Sequence, residues 1–552
     1  MSVLLHIQEE SPTSSAQVPL LGHSGDRSSL PRRKRPAYFV RIALFSSVVI
    51  IVALAFLQPD QRSKAYSRLS ALQKSTAASS SLAAAAPPYA QSCELCHVDP
   101  TNALCQYGEH NIRLSRAFEG SGYRLQRFLR KMVAGEEVQV GVLGASITQG
   151  HSVLPGEQTW QEAWFADLQK DYPNVKMHVG AVGATDSQFF SYCFSALLPV
   201  KDIDLFLVEL DINNDPGLKT LKDDDALMRG LLQLPQEPAV VRISFFATIF
   251  PEQGRGTLST LTTSQFFDIP VISIRNFLLP QVIKYRDSAE VIFGLDQWGN
   301  RDYRHVSALS HRAMADMLTL FFKKETCEAK RKELLRSVRK APMTGPWWKE
   351  DDLGSVPEIT LYESWMKPLP PRLVSPLCHS TVIPRSPLIP ASHSDAFQLS
   401  EWNGKSAWIS SEPGSQIRLR FTGSKVGVFV YSMAGPVTGH AAGKKVQSDK
   451  EKEEAAKEAP GMAYCWVEEP GQYERELKEE KGRSSPKDRV KAKERVEYAV
   501  NTHEPSKPAS GTAFVELADG LPAGKDHILA CEVSNQTTSG GHKWRLQAIA
   551  SL

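Results

Sequence analysis

Strand-like runs alternate with helical stretches between residues 136 and 322, and this alternation limits the possible folds more than any other feature. The strand-like runs are Val138–Leu143, Lys176–Val179, Leu205–Leu210, Val240–Phe246 and Val271–Ile274. Alternation of this kind predicts a parallel β-sheet with helices on both faces. A capping box, Thr159 with Glu162, predicts that one of the helices begins there. Because ligands of such sheets bind beyond the carboxyl ends of the strands, the residues just past each strand are the informative ones.

The composition excludes several classes of protein. Of the 552 residues, 42% are hydrophobic and 23% are charged, which is ordinary for a globular protein. The 64 basic and 61 acidic residues leave a net charge of +3, too small to predict a nucleic-acid partner. Neither a Walker-type phosphate loop nor a G-x-G-x-x-G motif is present. The sequence therefore does not predict a kinase, an ATPase or a nicotinamide-dependent enzyme.

One segment is far more apolar than the rest of the chain. Ile42–Leu57 contains no charged residue, and extension back to Ala37 makes it long enough for one membrane-spanning helix of roughly 20 residues. A basic cluster at 32–35 precedes it, which favours a cytosolic N-terminus. We therefore predict an uncleaved signal anchor over residues 37–58. A cleaved signal peptide is the alternative, because Ala53-Leu54-Ala55 offers a small-x-small site.

The chain divides into segments of different composition. We predict a disordered cytosolic tail (1–36), the anchor (37–58), a Ser/Ala-rich stem (59–92), an α/β domain with a cysteine-bearing lead-in (93–330), a Pro-rich linker (331–390) and an antiparallel β-sandwich (391–552) with charged insertions at 443–459 and 470–496. All 8 cysteines and the sequon Asn535-Gln536-Thr537 follow the anchor. Cysteines confined to that side indicate an oxidising compartment. We expect a single-pass type II membrane protein of the Golgi or the cell surface.

Polar residues that could carry out acyl transfer follow the predicted strands. Ser146 lies in GASITQG after the first strand, and Asp302 and His305 lie in a late loop, DYRHVSALSH. A serine hydroxyl needs a neighbouring base, which His305 can supply, and Asp302 can orient that imidazole. The backbone N–H groups of Ser146 and Gly183 and the side-chain amide of Asn213 could stabilise an oxyanion. The chain has no G-x-S-x-G motif, so an α/β-hydrolase elbow is not predicted.

In this order GASITQG, the Gly183 turn, VELDIN and DYRHVSALSH resemble the four sequence blocks of the SGNH/GDSL hydrolase superfamily. The resemblance covers roughly 136–322. It implies a flavodoxin-like three-layer α/β/α fold and ester hydrolysis without a cofactor or a metal. It also implies that Ser146 is the nucleophile, His305 the general base and Asp302 its orienting group, with Ser146, Gly183 and Asn213 as oxyanion donors.

The sequence departs from the family pattern at three places. The first block has G-A-S-I where the family usually has G-D-S-L, and Val306 and Ser310 replace the proline and the glycine of the last block. The asparagine of the third block could align with Asn213 or Asn214. Counting from Glu209 favours Asn213. We expect His311 to be structural, because it lies one helical turn beyond the predicted site loop.

Two other patterns allow alternative interpretations. Cys93-Glu94-Leu95-Cys96-His97 matches the c-type haem attachment string and could bind zinc with Cys105 or His110, but disulfide bonds are the expected state of these cysteines. A Cys465–Cys531 disulfide within the sandwich is a further guess. Most of the 10 tryptophans lie in the C-terminal part, where they could stack on sugars or, as we expect, pack in the core.

These observations together predict an SGNH-type serine esterase that hydrolyses acyl esters, with acetyl esters on glycans as the expected substrate class. A glycan O-acyltransferase and a catalytically silent glycan-binding protein remain as alternatives. The acyltransferase would transfer the acyl group to a sugar hydroxyl where an esterase uses water. The binding protein would show no turnover.

Overall fold

The computed structural model describes residues 92–250, 257–338, 355–364, 366, 376–434, 458–468, 496–505 and 511–552. The predicted tail (1–36), anchor (37–58) and nearly all of the stem (59–92) lie outside these ranges, as do most of both charged insertions. Among the helices in the described ranges, none combines the length and the apolar character that a membrane span requires.

The N-terminal half of the described chain is an α/β domain. Its strands are β1 (Arg116–Phe118), β2 (Val138–Gly144), β3 (Val175–Ala181), β4 (Leu205–Glu209), β5 (Ala239–Ser244), β6 (Val271–Ser273), β7 (Phe293–Leu295) and β8 (Arg301–Val306). Its helices are α1 (Leu95–Val98), α2 (Glu109–Leu114), α3 (Tyr123–Val133), α4 (Ser146–Gln149), α5 (Trp160–Asp171), α6 (Ser187–Leu197), α7 (Leu218–Leu232), α8 (Thr257–Phe266), α9 (Ile274–Lys284), α10 (Ala289–Ile292) and α11 (Ala308–Val338).

The main sheet has the strand order β1-β6-β5-β4-β2-β3. Strands β2 to β6 are parallel, and only β1 pairs antiparallel, with β6. The parallel part, β3-β2-β4-β5-β6, has the flavodoxin-like order, in which the topological switch point lies between the first strand and its two neighbours. The carboxyl ends of β2, β3 and β4 therefore meet at the place where such a fold binds its ligand.

The predicted strands and helix correspond closely to the observed ones. All five predicted strands are present, with ends that differ by at most two residues. In β2, β4, β5 and β6, buried Val, Ile, Leu and Phe side chains lie on both faces of the sheet. Helix α5 begins directly after Thr159, whose N–H donates to Glu162 Oε2 at 2.9 Å. On α11, the apolar side chains of Met314, Met317, Leu318 and Phe321 lie along one face and are fully buried.

The cysteines of the lead-in form disulfide bonds. Cys93 is bonded to Cys327 on α11, and Cys96 is bonded to Cys105. These bonds tie the lead-in to the end of the α/β domain. Because the sulfur atoms of these cysteines are bonded to each other, they are not available to attach haem or to bind zinc in this structure.

The C-terminal half is an antiparallel β-sandwich. Its strands are β9 (Leu377–Ser380), β10 (Ser392–His393), β11 (Gln398–Trp402), β12 (Lys405–Ser410), β13 (Gln416–Thr422), β14 (Val426–Ser432), β15 (Met462–Val467), β16 (Tyr498–Asn501), β17 (Gly511–Ala518), β18 (Asp526–Val533) and β19 (Trp544–Ser551). One sheet has the order β10-β13-β18-β15-β16. The other has the order β11-β12-β19-β14-β17, with β9 also paired to β19. Their inner faces share one apolar core.

Two predictions for the sandwich can be compared with this structure. Cys465 and Cys531 lie opposite each other on β15 and β18 and form the expected disulfide. Trp466 and Trp544 are buried in the sandwich, as core residues would be, whereas Trp402 and Trp408 are half-buried.

The prediction of a linker over residues 331–390 is wrong for the C-terminal part of that segment. Residues 377–380 form β9, which pairs with β19, and Cys378 is bonded to Cys193 on α6. The prolines of this stretch suggested a linker, but an edge strand tolerates prolines beside it. The bond also joins the two halves of the molecule, and Phe189 and Phe190 of α6 share an apolar core with Phe429 and Ala548 of the sandwich.

Candidate active site

Ser146 lies at the carboxyl end of β2, as the first residue of the short helix α4. The turn that presents it depends on a glycine at 144. A Cβ atom placed on Gly144 would lie 2.0 Å from Thr148 Oγ1 and 2.5 Å from Thr148 Cβ, so a larger residue cannot replace it without moving the turn. Thr148 in turn donates to Glu209 Oε2 through its hydroxyl (2.8 Å), which fixes the turn to the end of β4.

The sequence predicts a loop for Asp302 and His305, but both residues lie on strand β8. Strand β8 forms a two-stranded sheet with β7, and this hairpin brings both side chains to the Ser146 turn. His305 Nε2 lies 2.8 Å from Ser146 Oγ, and His305 Nδ1 lies 2.5 Å from Asp302 Oδ2. The structure thus brings the three predicted residues together in one hydrogen-bonded chain from hydroxyl to imidazole to carboxylate.

The Asp302 carboxylate is held by several donors. Its Oδ1 accepts the backbone N–H groups of Arg304 (2.9 Å) and His305 (3.3 Å). Burial by itself would raise the pKa of Asp302, but the hydrogen bond and the charge of His305, with the two backbone donors, outweigh it and lower that pKa below its ordinary value. Asp302 is therefore an anion at neutral pH, and its Oδ2 is the acceptor that requires a proton on His305 Nδ1. Nε2 is then left as the nitrogen that can accept the Ser146 proton.

Three donors near the carboxyl ends of β2, β3 and β4 have no acceptor in the described part of the chain. They are the backbone N–H groups of Ser146 and Gly183 and the side-chain amide of Asn213. Asn213 Oδ1 is also buried without a partner within those ranges. A set of unused donors on three neighbouring loops is what an oxyanion site requires.

The neighbouring asparagine has a different environment. Asn214 is completely buried, its Oδ1 accepts the backbone N–H of Ser187 (3.0 Å), and its Nδ2 donates to Ser187 Oγ (2.8 Å). Both polar atoms of its side chain are therefore used at the first residue of α6. Within the described ranges, this arrangement leaves Asn213 as the asparagine of the pair whose amide makes no hydrogen bond, and its assignment as an oxyanion donor stays a prediction.

His311 lies away from this chain of hydrogen bonds. It is fully buried, and its Nδ1 accepts the backbone N–H of Trp160 at 3.0 Å. That N–H is one of those that the first turn of α5 cannot satisfy internally. Burial, and secondarily the charge of His305, lowers the pKa of His311 to about 4. A neutral, buried acceptor at a helix start is consistent with the structural role expected from the sequence.

Two site residues were missed by the sequence reasoning. The imidazole of His151 stacks on that of His305, with ring centroids 5.0 Å apart. Gln149, still within GASITQG, has its Oε1 2.6 Å from the position that a Cβ atom on Gly183 would take. Burial, then the charges of His305 and Lys405, lowers the pKa of His151 to about 4, so this ring stays neutral. A histidine next to the first block was the only available signal.

A residue of the sandwich also reaches this site. Gly404, in the turn between β11 and β12, accepts a long hydrogen bond from Gln149 Nε2 at 3.4 Å. By contrast, a cavity of about 490 Å³ between α5 and α11, lined by Trp164, Phe322 and Lys323 among others, includes none of the three triad residues. The candidate site is therefore the region around Ser146, bordered on one side by the sandwich turn.

No protein-family model matches the chain, and no curated protein matches it in sequence. It is similar in structure to a two-domain esterase active on acetylated mannans, with a TM-score of 0.49 and 16% identity over 80% of this chain and 98% of that one. It is also similar to an acetyl xylan esterase, with a TM-score of 0.27 and 18% identity, over 33% of this chain and 98% of that one. A third similar structure is a lipase/acylhydrolase from Enterococcus faecalis, with a TM-score of 0.27 and 14% identity, over 34% of this chain and 95% of that one.

The α/β domain has the flavodoxin-like strand order that the sequence resemblance implied. The four sequence blocks lie where the strand order places them. The first, second and third follow β2, β3 and β4, and the fourth lies on β8 beside them. A second, sheet-rich part follows in the same chain.

Proposed function

We propose that the protein is an SGNH-type serine esterase that removes acyl groups, most simply acetyl groups, from an ester through an acyl-Ser146 intermediate. The observation that carries the proposal is the continuous chain from Ser146 Oγ to His305 (2.8 Å) and from His305 to Asp302 (2.5 Å). Both distances are those of hydrogen bonds that can carry a proton between the groups. The three unused donors at Ser146, Gly183 and Asn213 add the second requirement of acyl transfer.

The proposed reaction has two steps. In the first, Ser146 Oγ attacks the acyl carbonyl while His305 Nε2 takes the hydroxyl proton, and the imidazolium is stabilised by the Asp302 carboxylate. The negative oxygen receives hydrogen bonds from the three donors. His305 then gives its proton to the departing alcohol oxygen as the C–O bond of the ester breaks. In the second step, water attacks the acyl carbon while His305 Nε2 takes one of its protons. His305 then gives that proton to Ser146 Oγ as the bond between the acyl group and Ser146 breaks and the acid is released.

Esters on a glycan are the proposed substrate class. Two features support it. A turn of the β-sandwich contacts Gln149 beside Ser146, which places a second domain near the proposed position of the alcohol part of the ester. One solved structure to which the chain is similar is described as a two-domain esterase active on acetylated mannans. The identity of the acyl group and of the sugar is left to experiment.

We further propose that the protein is a type II membrane protein whose catalytic domain faces the lumen or the outside of the cell. The four disulfides account for all 8 cysteines of the chain, which is typical of an oxidising compartment. Asn535 of the predicted sequon lies in an exposed loop, as a glycosylation site on that side would require.

The test is turnover of p-nitrophenyl acetate by the purified full-length protein and its Ser146→Ala variant. We expect release of nitrophenol and acetate by the wild type and a loss of about 10³-fold or more in kcat for the variant. Ser195→Ala, which changes an exposed serine on α6, is the matched control and keeps wild-type turnover. Equal rates for the wild type and Ser146→Ala, or no turnover by either, would contradict the proposal.

A second arm separates the esterase from the acyltransferase. Acetylated mannan and xylan are incubated with the protein, with and without an unacetylated oligosaccharide as acceptor. Release of free acetate that the acceptor does not reduce supports hydrolysis. Transfer of acetyl groups to the oligosaccharide would identify an acyltransferase that uses the same Ser146. Binding of the glycan without any turnover, unchanged in Ser146→Ala, would identify a silent binding protein.

A further inference from the structure

We infer that the β-sandwich positions the oxyanion loop of the α/β domain, and that Thr512 on β17 is the positioning residue. The oxyanion loop is defined here as residues 182–186, between β3 and α6. The inference rests on the proposed function, because it assigns a role to a contact with the loop that carries the Gly183 donor. It gives the C-terminal domain a part in the reaction that its sequence does not reveal.

The oxyanion loop is fixed at both ends by its own domain. The Val182 N–H donates to the carbonyl of Gly144 at 3.0 Å, so the loop begins beside the Ser146 turn. At the other end, the side chain of Asp186 accepts the N–H groups of Gln188 (3.1 Å) and Phe189 (3.3 Å) and so caps α6. For Gly183 and Ala184, between these anchors, the described backbone of the α/β domain provides no such hydrogen bond.

Ala184 has a conformation that an alanine adopts only with support. Its φ is +63°, in the left-handed region where a Cβ atom crowds the backbone. The conformation turns the carbonyl of Ala184 away from its own domain and toward the sandwich. Without an external partner, the peptide beside Gly183 would relax toward an ordinary backbone geometry.

Thr512 supplies that partner with two hydrogen bonds. Its backbone N–H and its Oγ1 both donate to the carbonyl oxygen of Ala184, at 3.0 and 3.1 Å. Strand β17 is at the edge of its sheet, beside β14, so one face of its backbone is open to a further acceptor. Thr512 is buried, and these bonds are therefore shielded from water.

Further contacts between α6 and the sandwich hold β17 next to the oxyanion loop. On α6, which follows the loop, the ring of Tyr192 stacks on that of Phe514 of β17 with centroids 4.6 Å apart. The Cys193–Cys378 disulfide joins the same helix to β9. The Thr512–Ala184 contact is thus part of a broad interface. Its two hydrogen bonds fix the loop itself, whereas the other contacts fix the helix that follows it.

The consequence for catalysis follows from the position of Gly183. Its N–H lies between one peptide fixed by Gly144 and another fixed by Thr512. An oxyanion donor stabilises the transition state only when it is placed correctly before the reaction. Loss of the Thr512 contacts should therefore slow the chemical step while leaving the triad and substrate binding unchanged.

The experiment compares three variants of the full-length protein: Thr512→Val, Thr512→Pro and Thr512→Ser. Valine keeps the N–H and removes the hydroxyl, so we expect kcat for p-nitrophenyl acetate to fall about 5-fold. Proline removes both donors at an edge position where no ladder hydrogen bond is lost, and we expect a fall of about 50-fold. Serine keeps both donors and should retain the wild-type kcat within about twofold.

Three measurements separate positioning from a merely structural role. Rates are expressed per site labelled by a fluorophosphonate, so that unfolded protein is not counted. KM should stay within about twofold of the wild type, and the acid limb of the pH–rate profile should not move, because His305 and Asp302 are untouched. A fall in kcat that disappears when rates are expressed per labelled site would overturn the inference, since the residue would then act only on folding.

The remaining outcomes are also decisive. Wild-type kcat in both Thr512→Val and Thr512→Pro, with an active wild type, would overturn this inference and leave the proposed esterase intact. An inactive wild type that no fluorophosphonate labels would refute the proposed function, and the inference with it. A graded loss in the order serine, valine, proline would support both.

Discussion

The two halves of the molecule contribute to the candidate site in different ways. The α/β domain supplies every group proposed to react, from Ser146 after β2 to His305 on β8. The sandwich supplies none of them, yet it holds the carbonyl of Ala184 and contacts Gln149. Chemistry is thus encoded in short motifs of one domain, whereas the placement of one donor loop depends on contacts between residues far apart in the sequence. The following predictions test that division.

Asn213 and Asn214 provide the sharpest test within the α/β domain. If the amide of Asn213 stabilises the oxyanion, Asn213→Ala should lower kcat by about 10²- to 10³-fold without a change in thermal stability. Asn214→Ala should instead lower the melting temperature, because it leaves the buried N–H of Ser187 without its acceptor and removes the hydrogen bond that the Ser187 hydroxyl accepts from Asn214. Steady-state kinetics and thermal unfolding of both variants check this. A larger loss of kcat in Asn214→Ala would reverse the assignment.

The disulfide between Cys193 and Cys378 tests the contribution of the domain interface. Removal of the bond between Cys193 and Cys378 by a double alanine variant should lower the free energy of unfolding by about 2–4 kcal/mol. It should also lower kcat several-fold, because α6 follows the oxyanion loop. The matched control, Cys465→Ala with Cys531→Ala, removes a bond inside the sandwich. We expect a loss of stability but the wild-type kcat below the unfolding transition, and equal kinetic losses in the two variants would contradict the account.

The smallest expected effect concerns His311 and pH. Its pKa is lowered to about 4 from an ordinary value of 6.5, chiefly by burial. The unfolded chain therefore takes up a proton on this residue that the folded chain does not, between about pH 6.5 and about pH 4, and the folded state loses stability as the pH falls through that range. Relative to His311→Asn, which keeps an acceptor for the Trp160 N–H, the wild type should lose about 1–2 kcal/mol.

Denaturant unfolding of both proteins between pH 7 and pH 4 measures this difference. Activity should not follow the same curve, because His311 makes no contact with the triad residues. A stability difference that does not change with pH would show that His311 is already protonated or that its burial has no electrostatic cost.

Much of the α/β domain was predictable from the sequence because its signals are local. The buried strand Leu205–Glu209 begins with four consecutive apolar residues, and the capping box at Thr159 fixes where α5 begins. The order of the four blocks sufficed to select Ser146, Asp302 and His305 for one site. Asn213 could be preferred over Asn214 only by counting from Glu209, since side-chain partners such as Ser187 are not visible in a sequence.

What could not be predicted depends on contacts without a local pattern. His305 was expected on a loop, but pairing with β7 places it on a strand. The stretch after Leu377 resembled a linker because its proline content conceals its pairing with β19. Thr512 and Ala184 are 328 positions apart, and neither belongs to a recognisable motif. Only the folded chain reveals that such residues meet.

The central claim is that Ser146 is an activated nucleophile. The most direct measurement is the reaction of the full-length protein with a fluorophosphonate, followed by digestion and mass spectrometry to locate the adduct. The account predicts one adduct, on the peptide that contains Ser146, formed in the wild type and absent from both Ser146→Ala and heat-denatured protein. An adduct on another residue, or none on the folded protein, would contradict it.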